Sequence, residues 1–357
     1  MAYTTIDDPS AYFQTKLYTG GTAEAKTFDG NSNLKPDWFW SKKRGASQFH
    51  ATADSSRGIA NALRIDTTGA EYTNTEADDL ASFDTNGFTF DGTGDTYNGT
   101  YQSSSYVAWC WAANGGTTTT NDASSTGVGT IDSVYQANTT AGFSIVTYSG
   151  SGSAGTIAHG LGVTPNWVII KNRGPNTRGW IVYHDKSHGT PEENFTLLNT
   201  TAAVADLNRM NDTAPTSTVF SVSDDTHVNN GSDTYVAYCF AEKQGYSKFG
   251  RYTGNQSTDG PFLYFGFKPA FLMVKKTTSA ENWFLIDNKR HPFNDGQIPR
   301  VIPNNTDAES EDASIAGDFL SNGFKIKATQ NMINESGTYI YMAFAESPFV
   351  SSEGVPT

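Results

Sequence analysis

The chain has 357 residues, a formal net charge of −13, and 37% apolar, 13% aromatic and 17% charged residues. The acidic balance leaves out the basic patch that displaces counterions from nucleic acid, the aromatic content argues against disorder, and no run of 18 apolar residues predicts a membrane-spanning helix. Abundant Thr, Ser, Asn and Gly instead predict many short strands joined by polar turns.

The opening residues, MAYTTIDDPSAYFQ, have neither a basic start nor an apolar stretch, so no secretion signal is predicted. Triplets such as Asn98-Gly-Thr and Asn255-Gln-Ser then reflect composition rather than glycosylation. Tyr18-Thr-Gly leads into KPDWFWSKKR from Lys35, an apolar strand with Pro36 where a strand tolerates proline, at its start. SRGIANALR at 56–64 predicts one short helix. Asn86-Gly predicts a turn, and YVAWCWAA at 106–113 a strand apolar on both faces, as expected in the middle of a covered sheet.

Further along, the same order returns twice. Tyr148-Ser-Gly, TPNWVIIKNR and TYVAYCFAEK follow one another, and then Tyr252-Thr-Gly, KPAFLMVKKT and YIYMAFAE. The tyrosines stand 18, 17 and 17 residues before Pro36, Pro165 and Pro269. From those prolines to Cys110, Cys239 and Ala343 the distance is 74 residues each time. Asp54-Ser-Ser-Arg57, Asp185-Lys-Ser-His188 and Asp287-Asn-Lys-Arg290 align between the anchors, as do NGFTFDG, TVFSVSD and NGFKIKA before the last strand. A fixed period of this kind marks a repeat architecture. The prediction is an all-β chain of three tandem β-sandwich repeats of jelly-roll or lectin-like type, over 1–116, 143–245 and 246–357, with 117–142 a polar linker.

Chemistry is sparse. Gly150-Ser-Gly-Ser-Ala-Gly155 matches a dinucleotide-loop pattern but is followed by turn and strand, so it is expected to be a glycine-rich hairpin loop. His184 and His188 have helical metal-ligand spacing in a turn context, which favours an Asp–basic contact over a metal. The oxygen-rich stretches 91–99 and 224–233 lack the glutamate that completes a calcium loop. No nucleophile elbow, phosphate loop or zinc-protease motif occurs. No catalytic, cofactor-binding or metal-ligating residue is therefore assigned, no cofactor is expected, and the chain is expected not to be an enzyme. Cys110 and Cys239 fall at equivalent positions of different units, too far apart to bridge. All seven Trp fall at repeat-defined positions, which assigns them to core packing. Recognition is then left to loops that differ between units, 92–105, 189–217 and 294–316.

The combination of Tyr-Thr-Gly, Lys-Pro-x-Phe-Leu-Met-Val-Lys, Asn-Trp-Phe-Leu-Ile-Asp-Asn-Lys-Arg and Tyr-Val-Ala-Tyr-Cys-Phe-Ala-Glu resembles a repeated β-domain of virion structural proteins from marine and freshwater tailed bacteriophages, over 1–350. The opening AYTTIDDPSAYFQTKLYTG is similar to the start of such proteins. The resemblance implies a virion component made in the host cytoplasm, tail-fibre-like or a surface appendage for host attachment. Its partners would be other virion proteins and a host-surface glycan, with a homotrimer as the favoured assembly and neither nucleic acid nor membrane insertion. A capsid decoration or head-fibre protein and a glycan-cleaving tailspike are the alternatives.

Overall fold

A computed structural model describes residues 3–21, 23–73, 80–91, 104–174, 178–311 and 315–357. The protein is all-β. Among the described residues its only α-helix is the four-residue Ala123–Thr126.

Three large antiparallel sheets carry one strand order. In each, an opening strand pairs with the alanine-rich strand, which pairs with the post-proline strand, which pairs with a short fourth strand. These are Phe13–Thr19, Ser105–Trp111, Trp38–Lys43 and Ala51–Asp54 in the first sheet. In the second they are Phe143–Ser149, Thr234–Phe240, Trp167–Asn172 and Ile181–His184, and in the third Ser247–Gly254, Gly337–Pro348, Phe267–Lys276 and Phe284–Asp287. The register also recurs, since Phe39 lies opposite Cys110, Val168 opposite Cys239 and Leu272 opposite Ala343. The equal spacing seen in the sequence is thus a fixed cross-strand alignment. The alanine-rich strand is paired on both edges, which is why it is apolar on both faces.

A small sheet covers one face of each large sheet. Gly87–Phe90 pairs between Glu24–Lys26 and Leu80–Asp84, Gly155–Ala158 pairs with Val219–Val222, and Gly323–Ile326 pairs between Phe262–Tyr264 and Gly317–Leu320. The cover packs on the Ala/Cys face of the alanine-rich strand, as where Phe88 and Phe90 join Ala108 and Cys110 in one core. Small side chains there let the covering aromatics approach. The predicted turn Asn86-Gly closes the hairpin of the first cover, and Asn322-Gly closes that of the third in the same way. Gly87 has φ +116°, and a Cβ on it would lie 2.1 Å from the Lys26 carbonyl oxygen, so only glycine fits.

The other faces of the three large sheets meet in one shared core. Trp111, Phe240 and Phe344 hold the same register position in their sheets and surround a common centre, with ring centroids 6.4, 5.9 and 5.6 Å apart. All seven Trp are buried. Their rings all belong to the core that the units share.

Two sequence expectations need correction. Residues 117–142 are not a linker, since Thr119–Asn121 and Ser133–Asn138 extend the second sheet beyond Phe143–Ser149 and Asp122 caps the short helix through the Ser124 and Ser125 amides. A polar segment suits these outer strands, one face of which is wet. The predicted helix at 56–64 is a turn followed by the strand Asn61–Arg64, with Arg64 opposite Ala51. Pairing to an existing sheet edge outweighs local helix propensity there.

Candidate functional site

The positions where one unit meets the next repeat around the molecule. Lys42, Lys171 and Lys275, each six residues after its proline, are buried. Every one donates to two backbone carbonyls, one in its own unit and one in a neighbour. Lys42 reaches Gln48 and Thr306, Lys171 reaches Arg178 and Thr68, and Lys275 reaches Glu281 and Thr201, all at 2.6–3.2 Å. Burial lowers all three ammonium pKa values to about 8. Above about pH 8 the amine is neutral and keeps two N–H groups, matching the two carbonyls.

A second contact follows the same path. Trp180 Nε1 donates to the Arg64 carbonyl at 3.0 Å, and Trp283 Nε1 to the Leu197 carbonyl at 2.9 Å. In the first unit His50 stands in for the tryptophan. Its Nδ1 accepts from Trp40 Nε1, so Nε2 carries the proton and donates to the Ile302 carbonyl at 3.0 Å. The second unit thus hooks onto the first, the third onto the second, and the first onto the third. Such head-to-tail contacts close into a ring when the rotation permits.

Around this ring two junctions are charged and one is not. Between the first and second units, the fully buried pair Asp54–Arg57 extends to Glu71, which also takes both prongs of Arg173 at 2.7 and 2.8 Å. Between the third and first, Asp287–Arg290 extends to Glu309, which takes both prongs of Arg44 at 2.7 and 2.9 Å. Burial pushes Glu71 and Glu309 up, but the paired guanidiniums outweigh it and hold both carboxyls below the ordinary range. Between the second and third units the matching positions are His184, Ser187, Val204 and Thr277. The backbone frame is unchanged: the amides of Glu71, Glu309 and Val204 donate to the carbonyls of Arg173, Arg44 and Thr277 at 2.9–3.1 Å.

The partner residues change with the acid. Asp54 accepts from the Tyr238 hydroxyl at 2.7 Å and Asp287 from Trp109 Nε1 at 3.0 Å. The equivalent residue facing the third junction is Met342, which has nothing to donate. There His184 accepts the Lys186 amide on Nδ1 and turns Nε2 to the Tyr341 carbonyl at 3.4 Å. Burial lowers its pKa to about 3, so it stays neutral.

Without the network, the third junction holds a cleft of about 560 Å³. All three substituted positions beside His184 line it, namely Ser187, Val204 and Thr277. Glu193, Asp206, Arg251 and Thr338 line it as well. This hollow is rich in hydrogen-bonding groups and lies within the size range of small-molecule sites.

Of the loops nominated from sequence, 189–217 supplies much of this cleft, while 294–316 supplies Glu309 and hence a filled junction. Residues 92–103 of the first loop, with the oxygen-rich stretch up to residue 99, lie outside the described residues. The stretch 224–233 is a turn, where Asp225 accepts from the His227 amide and the Tyr235 hydroxyl accepts the Asn230 amide. Residues 150–154 form the loop between two strands, and Gly155 opens the second of them. Among the described residues no three His, Cys, Asp or Glu side chains gather as a metal group, and His188 faces Asn194 and Thr190 instead of His184. Both cysteines are free and buried. The alignment of Asp185 with Asp54 and Asp287 is off by one, because the strand register puts His184 opposite Trp167 where Asp54 faces Trp38. Trp180 and Trp283 stand four residues before His184 and Asp287, a count that carried the correct alignment.

A family model described as a domain of unknown function (DUF7483) matches residues 8–348, and the chain belongs to that family. One match thus spans all three units. No curated protein matches the chain.

Proposed function

We propose that this member of the DUF7483 family is a bacteriophage virion structural protein, a tail-fibre or surface-appendage component that presents β-units for attachment to the host surface. The sequence resemblance to phage virion domains supplies the class. One structural observation supports it, the closure of three like units into a ring with interlocked junctions and one shared core. Such a body holds its loops in fixed relative positions, and repeated display favours weak binders through avidity. Its partners would be other virion proteins, further copies of itself and a host-surface glycan. Mass spectrometry and antibody labelling of purified particles test the proposal, which fails if the protein is absent from them.

The internal threefold arrangement favours one alternative, a decoration protein seated at a threefold position of the head. Labelling at the capsid rather than the tail would select it. Shortening of host polysaccharide by the purified protein would replace both with a tailspike enzyme.

A further inference from the structure

We propose that the cleft between the second and third units is a binding site for a neutral saccharide. It deepens the attachment role, on which it relies for the source of the sugar but not for the site. The argument begins with what is missing from one junction of three. Two junctions are filled by a guanidinium on a carboxylate, and at the third the same backbone frame holds Ser187, Val204 and Thr277 around about 560 Å³ of space. A cavity that only avoided charge would be filled with larger apolar side chains, because interiors pack densely. Here the wall carries hydroxyls from Ser187, Thr190, Thr278 and Thr338, carboxylates from Glu193 and Asp206, and the guanidinium of Arg251.

The Ser187 hydroxyl gives an independent sign. Ser187 is only 6% exposed, and its hydroxyl has no hydrogen-bond partner among the described residues. Its counterparts Arg57 and Arg290 are paired with Glu71 and Glu309, the carboxylates that take the neighbouring unit's arginine at their own junctions. Buried polar groups are normally satisfied, so an orphan on a cleft wall marks a place for a ligand group. Among the described residues Glu193, Asp206 and Arg251 form no ion pair with one another or with other side chains. Carboxylates that accept, a guanidinium that donates and hydroxyls that do either together match a polyol, each of whose hydroxyls donates and accepts. Two carboxylates against one arginine disfavour an anionic sugar.

The test uses the full chain and saturation-transfer NMR with calorimetry, against maltotriose, cellotriose, chitotriose and mannotriose, with trigalacturonate as the anionic probe. The filling variant is V204E/T277R, which copies the Glu71–Arg173 pair already present at another junction. At least one neutral trisaccharide should bind saturably, and the filling variant should keep its melting transition while affinity falls at least about tenfold, as loss of one or two hydrogen bonds predicts. If that variant misfolds, Asp206→Asn on the exposed rim decides, with a loss of about threefold or more expected. The proposal is overturned if no neutral trisaccharide binds, if binding is unchanged in the variant that folds, or if trigalacturonate binds more tightly. Sugar binding by a protein absent from particles would sink the attachment role and leave this site standing; a particle protein that binds no neutral sugar would do the reverse.

Discussion

The Tyr238 hydroxyl of the second unit donates to the Asp54 carboxylate of the first at 2.7 Å, in a place where both side chains are buried. Asp54 also holds Arg57 through its backbone amide and Nε at 2.8 and 2.5 Å. Removing the two partners should therefore have unequal effects. Tyr238→Phe is expected to cost about 0.5–1.5 kcal/mol, since Asp54 keeps its arginine. Asp54→Ala should cost about 3–5 kcal/mol by leaving the Arg57 guanidinium buried without its main partner. Urea unfolding of both variants measures this, and equal losses would contradict the assigned geometry.

The three buried lysines predict an alkaline rise in stability. Each ammonium goes from 10.5 when exposed to about 8 in the fold. Between those values the unfolded chain binds more protons than the folded one, so stability increases as pH rises from about 8. Buried thiols pull the other way, because burial pushes Cys110 and Cys239 up while the unfolded thiols ionise, but three lysines outnumber two cysteines. Above about pH 9 the buried tyrosines reverse the trend, since burial pushes Tyr18, Tyr148, Tyr238, Tyr246 and Tyr252 well above their ordinary 10 and, with the thiols, they outnumber the lysines. Urea midpoints from pH 7.5 to about 9 should climb, and Lys275→Met should flatten the climb while orphaning two carbonyls at about 1–3 kcal/mol each.

Acid should loosen two junctions and spare the third. Glu71 and Glu309 sit below their ordinary 4.5 in the fold, so what they contribute is present above that pH and lost as pH falls through the lower folded value. Glu71→Gln and Glu309→Gln are each expected to lessen the drop in stability between pH 5 and pH 3 relative to the parent. At the junction of the second and third units Val204 stands where the other two have that glutamate, and His184 stays neutral down to about 3. Hydrogen exchange at pH 3.5 should accordingly rise first around Glu71 and Glu309, and slower exchange there than around Val204 would contradict the assignment.

The cysteines are packing residues. Both are buried on the covered face of their strands, and the third unit places Ala343 at the same register. Cys110→Ala and Cys239→Ala should cost about 1 kcal/mol each, the scale of a small core truncation. A thiol reagent should label neither cysteine until the protein unfolds. Rapid labelling of the native protein would overturn this.

The sequence alone determined the strand inventory and its period. Equal spacing from Pro36, Pro165 and Pro269 to Cys110, Cys239 and Ala343 became one cross-strand register in three sheets. That was legible because pairing is local to a unit, so each copy must repeat the same spacing to align its strands. The burial of every Trp was legible for the same reason. Tertiary structure decided what the rings pack against. An apolar strand face states that it needs a cover without naming one, and here Trp38 stacks on Tyr238 of the next unit at 4.4 Å. It also decided that 117–142 would join a sheet, since an edge strand may be polar on its wet side. The cleft at the third junction depends on His184, Ser187, Val204 and Thr277, which are scattered along two units and become equivalent to Asp54, Arg57, Glu71 and Arg173 only when the ring closes. Contacts between units set no spacing within either one, and for that reason the site could be found only in three dimensions.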